Sequence, residues 1–320
     1  MAIDAQYAKI IVGKKISKSF SINKGIRNFT EVRNLKKNGS LIVALLLLCT
    51  NVFGQGKALL WEISGKGLKD TSYLFGTIHI RDKRVFDLGD STYYAINHST
   101  DLLGELNLQD KAAIKKHASD LMMPSGTSLQ SLLTKEDYAL VKKYSKKHLG
   151  IYALLINKIK PVFISALISE NLLPSEKKKP LDLYLQDYAS EKGKKIGGIE
   201  SFEEQISVIN MIPVQEQADM LVEQIKHIKE EKVLMEEMLQ IYLSEDLDSL
   251  NVLVAEDTLS EEFNEAILDN RNKVMAERMI EYMNKTSCFF AVGAAHLAGE
   301  KGLIILLRNN GYTVRPVKRK

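Results

Sequence analysis

Two apolar runs, Ala58–Ile63 and Ser72–Phe75, flank the segment Ser64-Gly-Lys-Gly-Leu-Lys-Asp70. Two glycines and an aspartate between such runs predict a β-hairpin. Asp101–Leu106 reads as a short strand. From Lys111 to about Asn284 the apolar positions fall mostly at helical spacing. The clearest stretch is Pro213–Tyr242, where Leu221, Ile225, Ile228, Leu234 and Met238 recur among Glu and Lys. One amphipathic helix is predicted there, with Pro213 at its start. Asp257–Met283 predicts a second and Leu181–Ser190 a shorter one. Lys194–Glu200 and Cys288–Val292 are further strand candidates. Leu303–Arg308 reads as helix, Asn309-Asn-Gly311 as a turn and Tyr312–Val317 as a closing strand. Strands at both ends and near residue 196, with helices between, predict an α/β fold. Its mixed sheet is built from N- and C-terminal βα segments around a large helical central section.

Composition narrows the class. The 320 residues are 45% apolar, with 44 Lys+Arg, 40 Asp+Glu and two Cys. That is too apolar for a disordered chain and too poor in cysteine for a disulfide-stapled mini-domain. Long apolar runs of a polytopic membrane protein are missing. The basic excess lies at the start of the chain. Residues 1–40 hold nine Lys/Arg and two acids, a net charge of +7, so the remainder is −3. The basic pI therefore carries no argument for nucleic-acid binding.

The run Leu41-Ile-Val-Ala-Leu-Leu-Leu-Leu-Cys49 follows Lys36-Lys37 and leads to Gly54. A positive segment, a short apolar run and a small residue describe a signal peptide, here cleaved after Gly54 with Val52 at −3. An uncleaved anchor is the alternative, and would be the chain's sole membrane contact. Leu35-Lys36-Lys37 resembles an ordinary start, which would place residues 1–34 upstream of the true one. The expected organisation is a leader over 1–54 and a single exported domain over 55–320, periplasmic, extracellular or envelope-associated. Cys288 is then the one cysteine of the mature chain, in the apolar run Ser-Cys-Phe-Phe-Ala-Val, and reads as a buried small hydrophobe.

Two segments share a plan. Tyr73-Leu-Phe-Gly76-Thr-Ile-His79 and Phe290-Ala-Val-Gly293-Ala-Ala-His296 each run strand, Gly, two residues, His. Open α/β sheets bind ligands at the carboxyl ends of their strands. Two histidines there could share one metal through imidazole nitrogens. Glu105 and Glu200 each follow an apolar strand, where a carboxylate serves as a ligand or as a base toward water. Arg271, beside Asn272, could clamp a carboxylate or polarise a carbonyl. Each of these residues has a plainer reading as a loop, cap or surface group. His117 and His148 sit among lysines and are expected at the surface.

Together these blocks resemble the TraB/GumN family: Gly-Thr-Ile-His79, Gly-Glu105-Leu, Gly193-Lys-Lys-Ile-Gly-Gly-Ile-Glu200-Ser-Phe-Glu-Glu-Gln205, Asp269-Asn-Arg271-Asn272, and Val292-Gly-Ala-Ala-His296-Leu-Ala-Gly299-Glu-Lys-Gly302. The resemblance runs from about Leu60 to Val317. It implies relation to Tiki-type metalloproteases and pheromone-shutdown proteins, and a fold like that of the erythromycin-esterase/ChaN group. It also implies a metal-dependent hydrolytic site at His79, His296 and Glu105, with Glu200 and Arg271 as further catalytic candidates. Gly76, Gly293, Asn272 and Gly299 would be structural members of the motifs. The expected cofactor is a divalent metal (zinc, manganese or cobalt), and the expected partner a peptide or protein substrate. The rival reading is a protein that binds a peptide, a metal or haem in the same pocket without turnover.

Overall fold

The structure, a computed structural model, describes residues 57–256 and 265–320. The predicted leader lies outside these residues, as does Asp257–Asn264 of the predicted second helix. Six strands form one sheet: β1 (Leu60–Ser64), β2 (Ser72–Thr77), β3 (Asp101–Gly104), β4 (Lys195–Gly198), β5 (Cys288–Gly293) and β6 (Thr313–Pro316). Their order is β4-β3-β5-β2-β1-β6. The hairpin read from the sequence is present, with β1 antiparallel to β2 from Leu60↔Phe75 to Ile63↔Ser72. β1 also pairs antiparallel with β6. β2, β5, β3 and β4 are mutually parallel. The sheet is therefore mixed, and the class is α/β.

Burial explains which strands sit in the middle. Every residue of β2 and β5 is buried. A parallel strand covered on both faces needs such an unbroken apolar run, whereas a one-sided strand alternates. Cys288 is fully buried, and burial pushes its thiol pKa up to about 12. Trp61 is likewise buried, and its indole N–H donates to the Ala58 carbonyl at 3.0 Å.

Ten principal helices complete the described fold: α1 (Gly89–His98), α2 (Lys135–His148), α3 (Pro161–Glu170), α4 (Leu181–Glu191), α5 (Phe202–Ile209), α6 (Val214–Lys226), α7 (Ile228–Leu243), α8 (Leu247–Glu256), α9 (Asn270–Met283) and α10 (Leu303–Asn309). α2, α3, α6 and α7 pack together, while α4 lies against β3, β4 and β5. α3 is buried on nearly all sides, as its apolar composition requires. No described helix is long and apolar enough to cross a membrane.

Two expectations need correction. The single helix over Pro213–Tyr242 is two, broken at His227, whose φ −107° and ψ 29° leave the helical region. No Gly or Pro marks the break. α6 packs mainly on α2 and α3, while α7 packs mainly on α8 and only lightly on α3 and α6, so the two helices bury their apolar stripes in different directions. Val233, an apolar residue within this stretch, is 68% exposed. His117 is buried rather than at the surface. Its Nδ1 lies 2.7 Å from Asp120 and its Nε2 3.1 Å from Glu203, and its ring lies parallel to that of Phe202. The covering residues come from α5, 85 positions downstream, and no local pattern announces them.

Candidate active site

Strand register brings the candidate residues to one edge. Thr77 of β2 is level with Gly293 of β5, and Gly104 of β3 is level with both Ala291 and Gly198. His79, Glu105, Glu200 and His296 all follow directly from the carboxyl ends of these four parallel strands. The β3–β4 pairing runs past the strands themselves. Ile199 N–H donates to Gly104 at 2.9 Å and Glu200 N–H to Glu105 at 2.8 Å. The two glutamates are thereby set side by side.

Close packing fixes the first Gly-x-x-His. A Cβ on Gly76 would stand 3.1 Å from Ala294 Cβ and 3.2 Å from Leu297 Cδ2. The first motif thus packs against the turn of the second, and a larger residue at Gly76 would push Ala294 and Leu297 back by a few tenths of an ångström. Gly299, at φ +82°, turns the chain after His296.

Hydrogen bonds fix the protons on both imidazoles. Asn272 Nδ2 donates to the Lys301 carbonyl at 3.0 Å, which can only accept. The amide oxygen must therefore face His296, whose Nδ1 lies 2.6 Å away and donates to it. His79 Nδ1 lies 2.7 Å from Asp182 Oδ2 and donates likewise. In the neutral rings each Nε2 then carries the lone pair. This is the arrangement found behind metal-binding histidines.

The carboxylates form a buried network. Arg271 reaches Glu200 through Nε at 2.7 Å and Nη2 at 2.6 Å, and Glu105 through Nη2 at 2.8 Å. Its Nη1 donates to the Ile267 carbonyl at 3.0 Å. Gln205 Nε2 donates to both Glu105 and Glu200 at 3.1 Å. Gly293 N–H donates to Glu105 Oε1 at 2.8 Å. Burial pushes the Glu105 carboxyl above its ordinary range; Arg271 opposes this, and the Glu200 charge adds to it.

The chemistry of the donors suits a divalent ion at one point. His296 Nε2 and Glu105 Oε1 are 3.6 Å apart. Two ligands on one tetrahedral zinc stand about 3.4 Å apart, given bonds near 2.1 Å. Among the described residues no group of three His, Cys, Asp or Glu is arranged to hold a metal. A small cleft opens beside Glu105, lined by Thr77, Asp182, Gln186 and Ala291 among others.

Asp182, Gln186 and Gln205 were not singled out from the sequence. Asp182 lies in the first turn of α4, where an acid reads as compensation of the helix dipole. Gln205 lies within the block Glu200–Gln205, but glutamine on a helix has no distinctive chemistry. Gln186 ties down the loop after Glu105, donating to Leu106 O at 2.8 Å and accepting from Leu108 N–H at 2.9 Å.

Comparison with known proteins agrees with the resemblance read from the motifs. The chain is 28% identical to Metalloprotease TIKI2 of Xenopus tropicalis over 306 residues, covering 76% of this chain and 57% of that protein. It is 27% identical to Metalloprotease TIKI2 of Danio rerio over 80% of this chain and 60% of that protein. It is 26% identical to Metalloprotease TIKI1 of Homo sapiens over 76% and 59% respectively. The match thus spans well under two thirds of each relative's length. No solved structure matches the chain. The TraB/PrgY/gumN family matches residues 59–316, which contain all six strands, and the chain belongs to that family.

Proposed function

We propose that this protein is an exported, metal-dependent hydrolase acting on peptides, with a fold of the erythromycin-esterase/ChaN kind. The observation that carries the reading is the matched state of the two Gly-x-x-His histidines. Both bind Nδ1–H to a fixed oxygen, and both follow parallel strands of one sheet. The names of its relatives support a metalloprotease.

His296 and Glu105, the pair at ligand spacing, would hold the ion, with His79 moving in as the third donor; zinc, manganese and cobalt all suit these donor types. A divalent ion there would supply Lewis acidity and lower the pKa of water toward about 7. Asp182 and Asn272 hold the imidazoles in the tautomer that offers Nε2. Arg271 spends its donors on Glu105, Glu200 and the Ile267 carbonyl, so we assign it the anchoring of these carboxylates rather than the clamping of a substrate carboxylate or the polarising of a carbonyl. Glu200, the carboxylate that does not ligate, would take up the proton of the attacking water. The adjoining cleft would receive the peptide.

The test is metal content and turnover of the full chain purified without chelator, beside His79→Ala and His296→Ala. Near-stoichiometric metal and consumption of a peptide library, both lost in the variants with folding intact, would support the proposal. Reversible depletion of the peptides without products would favour the binding protein. Undiminished turnover in both variants would sink the hydrolase site.

A further inference from the structure

The sequence gives no sign of a surface ligand away from the strand edge, since residues 41–320 carry a net charge of only −3. The folded chain concentrates both apolar and basic side chains at one place. Nine large apolar side chains are exposed among the described residues. Three of them, Ile151, Tyr152 and Leu154, fall in the short 3-10 helix Gly150–Leu154, and a fourth, Leu155, is its C-cap. Ile151 is 74% exposed and Leu154 77%. A fifth, Met122, joins the same site through its bridge to Ile159, just beyond the turn.

Lysines flank this turn. Lys142, Lys143, Lys146 and Lys147 are exposed on the last turns of α2, at the spacings that place them on adjoining rows of one helix. Lys158 is exposed on the other side. Lys143, Lys146, Lys147 and Lys158 pair with no carboxylate among the described residues. The acids of α2, Glu136 and Asp137, occupy its first turn, at the far end. Water is a poor solvent for so many contiguous aliphatic groups, and unpaired lysines beside them call for anions. An anionic bilayer answers both needs: acyl chains for Ile151 and Leu154, headgroups for the ammonium groups on their flexible stems.

We propose that the Gly150–Leu155 turn and the end of α2 form a docking surface for anionic lipid membranes. The contact is peripheral and independent of any anchor in the leader.

The test uses the full chain carrying Ile151→Trp as a local reporter, with buried Trp61 as constant background. Vesicles of mixed phosphatidylglycerol and phosphatidylcholine should shift the reporter's emission to the blue. Brominated acyl chains should quench it. Pure phosphatidylcholine and high salt should abolish both effects. In the same background, Lys143→Glu/Lys146→Glu/Lys147→Glu should weaken binding by more than about a hundredfold, at about fivefold for each positive charge removed. In the otherwise native chain, Ile151→Asp/Leu154→Asp should reduce sedimentation with anionic vesicles. These side chains are exposed, so thermal unfolding should be unchanged. No blue shift with anionic vesicles would overturn the proposal, as would equal binding by the charge-reversed variant. Concentration-dependent dimerisation that buries the reporter without vesicles would also overturn it, assigning the surface to a second copy of the chain.

Discussion

Arg271→Met removes the one cation between two buried carboxylates. The methionine fills much of the volume, so the effect isolates charge. Lost are three charge-assisted bonds at 2.6–2.8 Å to Glu105 and Glu200, and the bond to the Ile267 carbonyl. The arginine side chain is 8% exposed, Glu105 9% and Glu200 2%, so water does not replace the lost donors. Removing one partner of such a buried group costs about 3–5 kcal/mol, because the remaining charges stay buried. Urea unfolding of the full chain should show a fall in midpoint of more than about 1 M, given a slope near 3 kcal/mol/M for a chain of this size. Adding Glu200→Gln should restore part of the loss, because it removes one of the stranded charges. The double variant should thus be more stable than Arg271→Met alone, a coupling that independent sites do not show. A cost below about 1 kcal/mol for Arg271→Met, or no recovery in the double variant, would refute the ionised, interdependent network argued here.

Three further expectations follow from neighbouring groups. Asp182→Ala should lower metal affinity about 10–100-fold, measured by competition with a chromophoric chelator, while Asp182→Asn, whose amide oxygen still accepts from His79, should lose less. Gly76→Ala should destabilise by about 1–3 kcal/mol in chemical unfolding, since Ala294 and Leu297 stand where the new methyl must go. Hydrogen bonding from Arg278 holds the Glu204 carboxyl down to about 2, from 4.5. A depressed carboxylate contributes stability that is complete above its unfolded value and disappears as pH falls through the folded one. Arg278→Met should therefore be less stable than the native chain at neutral pH, and the difference should close between about pH 5 and 2 in a series of unfolding curves.

The strands were legible because most are short, apolar runs with turn residues at their ends, and because the buried parallel strand β5 needs apolar residues at every position. Two Gly-x-x-His motifs and two strand-terminal glutamates could be read from the chain for a related reason. The carboxyl edge of a parallel sheet is where a strand must stop and a functional side chain can start. Local pattern likewise fixed α4 and α10, whose lengths are short and whose ends are marked by Pro180 and Gly302.

Other features depend on residues distant in sequence. The break at His227 carries no local signal, because the apolar period continues through it and only the neighbours of α6 and α7 separate them. His117 looks solvated among lysines until α5 folds over it. Asp182 acquires a role only when α4 sets it against His79, 103 positions earlier. Arg271 looked like a substrate clamp from its type alone, and tertiary structure turned it onto two glutamates 166 and 71 residues away. Sequence alone determined which chemical groups the chain possesses and where most of the strands lie, since those depend on near neighbours along the chain. Tertiary packing decided which groups meet, which protons they hold and which charges are buried, since these depend on the field and the volume left by residues far apart.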